Sequence, residues 1–142
     1  NKISNLVSVG SGGRKFEEEL RMFIKNSGRA VDLHALYIDI KESPSNIERT
    51  FYGHPYKYWN SVLFLDPMEF YNKITVPILV AQGEYDTSTP IESGRFLRDE
   101  FNKLGKTNLT FMEYKGADHI LKNENGNEGL KDFYEKMNEW LK

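Results

Sequence analysis

The sequence predicts an α/β fold: a partial doubly wound parallel sheet of three strands, with flanking helices and an aromatic-rich cap insertion. Three observations predict it. Short apolar runs recur near residues 3–9, 76–82 and 108–114, and each is closed by a glycine within two residues. Helical spacing of apolar residues follows near 14–26, 90–104 and 128–141. Strand–helix–strand alternation of this kind makes right-handed crossovers, which leave the strands parallel.

The first run, Ile3-Ser4-Asn5-Leu6-Val7-Ser8-Val9, leads into Gly10-Ser11-Gly12-Gly13. Phe16, Leu20, Phe23 and Ile24 then mark one face of a helix expected to pack on the sheet, with Glu17, Glu18 and Glu19 at its favourable N-terminal end. Residues 29 to about 72 break the alternation and are expected to form the cap. Val31, Leu33, Leu36, Ile38 and Ile40 suit a short helix or an irregular apolar segment, stopped by Glu42-Ser43-Pro44-Ser45. Ser45 is placed to cap a turn beginning at Asn46. A dense aromatic stretch follows: Phe51, Tyr52, Tyr56, Tyr58, Trp59, Phe64, Phe70 and Tyr71. Asp66-Pro67 reads as a turn back into the main body.

The run Ile74-Thr75-Val76-Pro77-Ile78-Leu79-Val80-Ala81-Gln82-Gly83 is apolar without alternation, as in a strand buried on both faces. Pro77 lies at its start, where a missing donor is tolerated. Thr87-Ser88-Thr89-Pro90 reads as a helix cap with proline in the first turn. Ile91, Gly94, Leu97, Phe101 and Leu104 give the following helix its inner face, and Gly105 stops it. Asn108–Tyr114 is the next strand and Lys115-Gly116-Ala117-Asp118-His119 the loop beyond it. In the last helix Leu130, Phe133, Tyr134, Met137, Trp140 and Leu141 form a stripe expected to bury against the sheet.

In open parallel sheets, chemistry collects beyond the carboxyl ends of the strands. Asp86 and His119 each lie a few residues past such an end. Adjacent strands are about 4.8 Å apart, so carboxylate and imidazole can meet. They are the acid and base of a nucleophile–His–acid triad, and the nucleophile is the missing member.

Here the chain resembles the C-terminal half of the α/β-hydrolase superfamily. The residues that carry the likeness are Val76-Pro77-Ile78-Leu79-Val80-Ala81-Gln82-Gly83-Glu84-Tyr85-Asp86, the helix at Pro90, and Gly116-Ala117-Asp118-His119. The resemblance covers roughly residues 74 to 142. It implies a serine-type hydrolase of an ester, thioester or amide carbonyl, with Asp86 and His119 catalytic and a small-molecule acyl substrate. It implies no cofactor and no metal. It also makes residues 1–142 the C-terminal portion of a longer domain, because no nucleophile elbow is present and the chain alone is expected to be inactive. The exposed edge of such a sheet is a place for self-association.

Composition narrows the alternatives. The 142 residues are 39% hydrophobic and 13% aromatic, enough for a packed core. Nineteen Lys and Arg against 21 Asp and Glu give a formal net charge of −2, which leaves no basic field for nucleic acid. No run of eighteen apolar residues suggests a membrane span. There is no cysteine, hence no disulfide framework or thiolate. The first residue is not methionine, so a leader upstream is not visible, and a cytoplasmic location is the default expectation.

Other residues compete for roles. Ser11 lies on a strand–turn–helix bend, but an elbow needs glycine two residues before and two after the serine, and Val9 occupies the first place. The Gly10–Gly13 loop has no phosphate-binding spacing, and its plain reading is a tight connection. Glu84 is the second choice for the acid, and Asp118 projects away from its neighbour His119. His34 and His54 have no partner at metal-ligand spacing. The rival class is a non-enzymatic α/β module that binds a ligand or partner through the aromatic region 51–71.

Overall fold

A computed structural model describes residues 2–142. In chain order its elements are β1 (Leu6–Val9), α1 (Phe16–Asn26), α2 (Leu33–Glu42), β2 (Thr50–Phe51), β3 (His54–Pro55), α3 (Tyr56–Val62), α4 (Pro67–Tyr71), β4 (Ile78–Gly83), α5 (Ile91–Lys103), β5 (Leu109–Tyr114) and α6 (Glu128–Trp140). They divide into two compact units. One takes the residues up to Arg14 together with Pro67–Lys142, and the other is Lys15–Asp66.

The first unit is built on a parallel sheet of order β1-β4-β5. Leu6 lies beside Ile78 and Val9 beside Ala81, while Ile78 lies beside Leu109 and Gly83 beside Tyr114. Every residue of β4 is buried, as its unbroken apolar run requires of a central strand. Successive side chains of a strand alternate between faces. Ile78 and Val80 accordingly pack with Leu97 and Phe101 of α5, supported by Leu6, Met68 and Tyr71. Leu79 and Ala81 pack with Leu121 and Phe133, supported by Val7, Leu130, Met137 and Trp140. Both faces of the sheet are thus covered from within the unit.

Two expectations for this unit are corrected. The residue before α5 is Pro90, and no side chain caps the helix there. In the first turn Ser93 N donates to the Pro90 carbonyl at 2.8 Å, while the N–H groups of Ser88 and Thr89, ahead of the helix, donate to Asp86 Oδ1. Tyr134 in α6 and Leu141 just past its end are 52% and 46% exposed. The helix meets the sheet along the narrower line through Leu130, Phe133, Met137 and Trp140. A residue one step from Phe133 is turned about 100° away from that line.

The second unit has its own core of Leu20, Ile24, Leu33, Tyr37, Ile40, Tyr56, Trp59 and Leu63. Helix α1, expected on the sheet, buries Leu20 and Ile24 here instead. Its apolar face is matched by aromatic rings, with Phe16 against Trp59 (centroids 6.1 Å apart) and Phe23 edge-on to Tyr52 (5.4 Å). Of the two options for residues 31–40 the chain takes the helix, α2, capped by Asp32 Oδ1 accepting from Ala35 N at 3.0 Å. The turn expected at Ser45 is organised by Asn46, whose Oδ1 accepts from the N–H groups of Glu48 and Arg49. Strands β2 and β3 form a two-stranded antiparallel hairpin around Tyr52 and Gly53, at φ 47° and 75°. The Asp39 carboxylate accepts from the Arg49 guanidinium and, at 3.0 Å, from Tyr56 Oη, tying α2 to α3. Among the described residues no helix is long and apolar enough to cross a membrane.

Candidate active site

Three loops at the carboxyl ends of β1, β4 and β5 converge in the first unit. The loops after β4 and β5 are joined by main-chain hydrogen bonds, since Glu84 N donates to Tyr114 O at 2.9 Å and Tyr85 N to Ala117 O at 2.8 Å. Glu84 Oε2 accepts from Gly116 N at 3.0 Å, so this carboxylate is committed to the loop backbone.

Asp86 follows and is 5% exposed. Its Oδ1 accepts from Ser88 N (2.8 Å) and Thr89 N (2.9 Å), and its Oδ2 lies 2.9 Å from His119 Nδ1. An ionised carboxylate only accepts, so Nδ1 carries the proton and donates, leaving the Nε2 lone pair free in the neutral ring. The Asp86 side chain is fully buried, whereas that of His119 is 46% exposed. The carboxylate is thus shielded from water while the imidazole faces it.

His119 is held by a turn that Asp118 organises. Asp118 Oδ1 accepts from Ile120 N (3.0 Å) and Lys122 N (2.9 Å), and Asp118 N donates to Lys122 O at 2.8 Å. The turn forces Leu121 to φ 62°. A left-handed conformation costs a branched residue about 1–2 kcal/mol. Leu121 is completely buried in the β4–α6 cluster, and burial of a leucine returns about 1.5–3 kcal/mol. Packing wins, and the loop keeps its shape.

Below the imidazole lies the first loop. Gly10 has φ 65°, and a Cβ there would come within 2.6 Å of His119 Cε1 and Nδ1. Glycine is required twice over at this position, by conformation and by the ring above it. Ser11 Oγ lies 3.3 Å from Tyr71 Oη, a contact that sequence reading does not anticipate. Ser93, fully buried in α5, anchors the loop: its O accepts from Gly13 N and its Oγ from Arg14 N, both at 3.1 Å.

The remaining candidates lie elsewhere. His34 is exposed on α2, and His54 stacks on Tyr58 at 4.5 Å. Among the described residues there is no group of three or more His, Cys, Asp or Glu able to hold a metal. Four of the eight aromatics of 51–71, Phe51, Tyr52, Tyr58 and Trp59, pack on one another: Trp59 is buried against Phe51 and donates Nε1–H to Phe51 O at 2.7 Å. A shallow concavity in that unit, lined by Pro44, Pro55, Lys57 and Tyr58, draws one ring from the aromatic set. Nearby ionisable groups serve structure. A hydrogen bond from Arg95 holds Glu113 below its ordinary value, and burial raises the Tyr114 phenol, helped by its hydrogen bond to Asp132.

The three-stranded parallel sheet flanked by helices, with a carboxylate after its central strand and a histidine after the next, has the architecture of an α/β-hydrolase fold. Residues 30–142 match the prolyl oligopeptidase family, and the chain belongs to that family. It is also similar to two solved structures. One is a monoacylglycerol lipase of Paleococcus ferrophilus (22% identity, TM-score 0.48), with 99% of this chain and 59% of that chain covered. The other bears the name non-heme bromoperoxidase BpoC, from Mycobacterium tuberculosis H37Rv (17% identity, TM-score 0.45), with 98% and 56% covered. The chain therefore spans less than two thirds of either. A search of the curated proteins found no match.

Proposed function

We propose that Asp86 and His119 are the acid and base of a hydrolase that acts on an ester, thioester or amide carbonyl through a nucleophile–His–Asp triad. The observation that carries the reading is the 2.9 Å approach of Asp86 Oδ2 to His119 Nδ1, with the carboxylate buried and the ring half exposed. The family name makes peptide amides the first substrates to test.

In the reaction, a serine hydroxyl attacks the carbonyl carbon and passes its proton to His119 Nε2. Asp86 holds the tautomer and stabilises the imidazolium. The tetrahedral intermediate collapses, and His119 returns the proton to the departing oxygen, sulfur or nitrogen. Water then repeats the sequence on the acyl-serine, and the acid product leaves. The serine is placed outside these 142 residues, on a strand that pairs with the open edge of β1. Ser11 is not chosen, because its hydroxyl is turned to Tyr71 and Val9 takes the place of the elbow glycine. On this reading the chain is the C-terminal portion of the domain, with the cap insertion at about residues 29–72.

The test uses the product of the full open reading frame, assayed on peptide anilides and nitrophenyl esters. Asp86→Asn should lower kcat by about 10⁴-fold, as removal of a buried triad acid does, and His119→Ala should lower it at least as far. Near-wild-type turnover by either variant overturns the assignment. The 142-residue chain alone should release no nitrophenol burst; a burst abolished by Ser11→Ala would show that the nucleophile is internal.

A further inference from the structure

Gln82, the fifth residue of β4, is completely buried and belongs to no part of the triad. It is a polar side chain at a position where the strand otherwise places apolar ones. Its alternation with Ile78 and Val80 turns it toward α5. There its Nε2 donates to Thr89 O at 2.6 Å and to Pro90 O at 3.2 Å. The amide orientation follows from chemistry, because the opposite one would set Oε1 against two carbonyl oxygens. Pro90 O also receives Ser93 N at 2.8 Å, so its second lone pair serves Gln82, and the shorter contact is the one to Thr89 O.

The two carbonyls it holds close the loop that carries the acid. Asp86 Oδ1 grips the N–H groups of Ser88 and Thr89 from within the loop, and Gln82 grips the carbonyls of Thr89 and Pro90 from the strand. Both clasps meet at Thr89. Gly94 completes the arrangement: a Cβ on it would run into Gln82 Oε1, so the helix is bare where the carboxamide lies. Gln82 Oε1 itself is buried with no hydrogen-bond partner.

We infer that Gln82 is a positioning residue for the reaction: it fixes the loop 86–90 so that Asp86 Oδ2 faces His119 Nδ1. The inference rests on the Asp86–His119 reading above, and the experiment separates the two. Ring nitrogens of His119 are followed by ¹⁵N NMR in the 142-residue chain, with thermal melting in parallel. Wild type should show the tautomer protonated at Nδ1, and Asp86→Asn should lose that signature. Gln82→Met keeps the length and volume of the side chain and removes the donors; it should move the His119 signals toward those of Asp86→Asn. Gly94→Ala keeps the carboxamide but displaces it, and should move them the same way.

If Asp86→Asn leaves the His119 signals unchanged, the acid–base reading fails. If Asp86→Asn moves them while Gln82→Met lowers only the melting temperature, the inference alone is overturned. Should both Gln82→Met and Gly94→Ala unfold, the wild-type carboxamide decides. Its Nε2 protons should be protected from solvent exchange and coupled to the Thr89 carbonyl, and free exchange would overturn the assignment.

Discussion

Leu121 shows how a single residue can be held against its own preference. Its positive φ and its complete burial pull in opposite directions, and they lead to an unusual ordering of variants. Leu121→Ala should destabilise by about 2–5 kcal/mol, the ordinary range for a buried leucine. Leu121→Gly loses the same side chain but recovers the about 1–2 kcal/mol of left-handed strain, so it should be at least as stable as Leu121→Ala. At most sites glycine is the worse of the two by about 0.5–1 kcal/mol. Urea denaturation of both variants measures the order, and a lower midpoint for the glycine variant would mean that the turn is not strained. The same loop explains why some of the candidate site is readable from residues and some is not. Asp86 and His119 stand out because each follows a recognisable strand end. Gln82 and Asp118 do not, since a buried clasp on a carbonyl or an N–H two to eight residues away has no period or composition of its own.

Strands β4 and β5 and helices α5 and α6 are legible because each keeps one periodicity along its whole length. The hairpin Thr50–Pro55 is not, because its strands have two residues each and its turn places Tyr52 at positive φ, where glycine or asparagine is the usual signal. Periodicity also cannot tell which partner an amphipathic helix will find, which is how α1 comes to be assigned to the sheet. For α6 the burial pattern ranks its residues. Phe133, 2% exposed, should cost about 3–5 kcal/mol on change to alanine. Trp140 is only half-buried, though its Nε1 donates to Thr110 Oγ1 at 3.1 Å, and Trp140→Ala should fall below that range. Equal midpoints in denaturant would contradict the ranking. Helix α5 is further stapled to β5 by Arg95 and Glu113. The Glu113 carboxyl is held below its ordinary value, so the pair stabilises the fold above the unfolded-state value and loses that contribution as pH falls through the folded one. The stability gap between wild type and Glu113→Gln should be present at neutral pH and close on acidification below about pH 4. A gap that persists in acid would assign the effect to packing of the side chain instead.

At the scale of the whole molecule, the two units have separate cores, and the clusters that cover the sheet draw every member from the first unit. The candidate pair Asp86 and His119, the clasp of Gln82, and the anchor of Ser93 on the Gly10–Gly13 loop all lie in that unit too. The chain leaves it after Arg14 and re-enters at Pro67, and those ends are close: a Cβ on Gly13 would lie 3.2 Å from Met68 Sδ. A few flexible residues can therefore bridge the gap, at a loop-closure cost that grows only slowly with length. Replacing residues 15–66 with a short Gly-Ser linker should leave a cooperatively folded sheet with the His119 ring signature of the intact chain. The excised segment, Lys15–Asp66, is near the size at which a single core barely offsets chain entropy, so by itself it should melt broadly or not fold. Circular dichroism and the ¹⁵N spectrum of the linked variant measure both outcomes. Loss of cooperative unfolding in the linked variant, with the isolated segment folded, would reverse the hierarchy and make the inserted unit the one that supports the sheet.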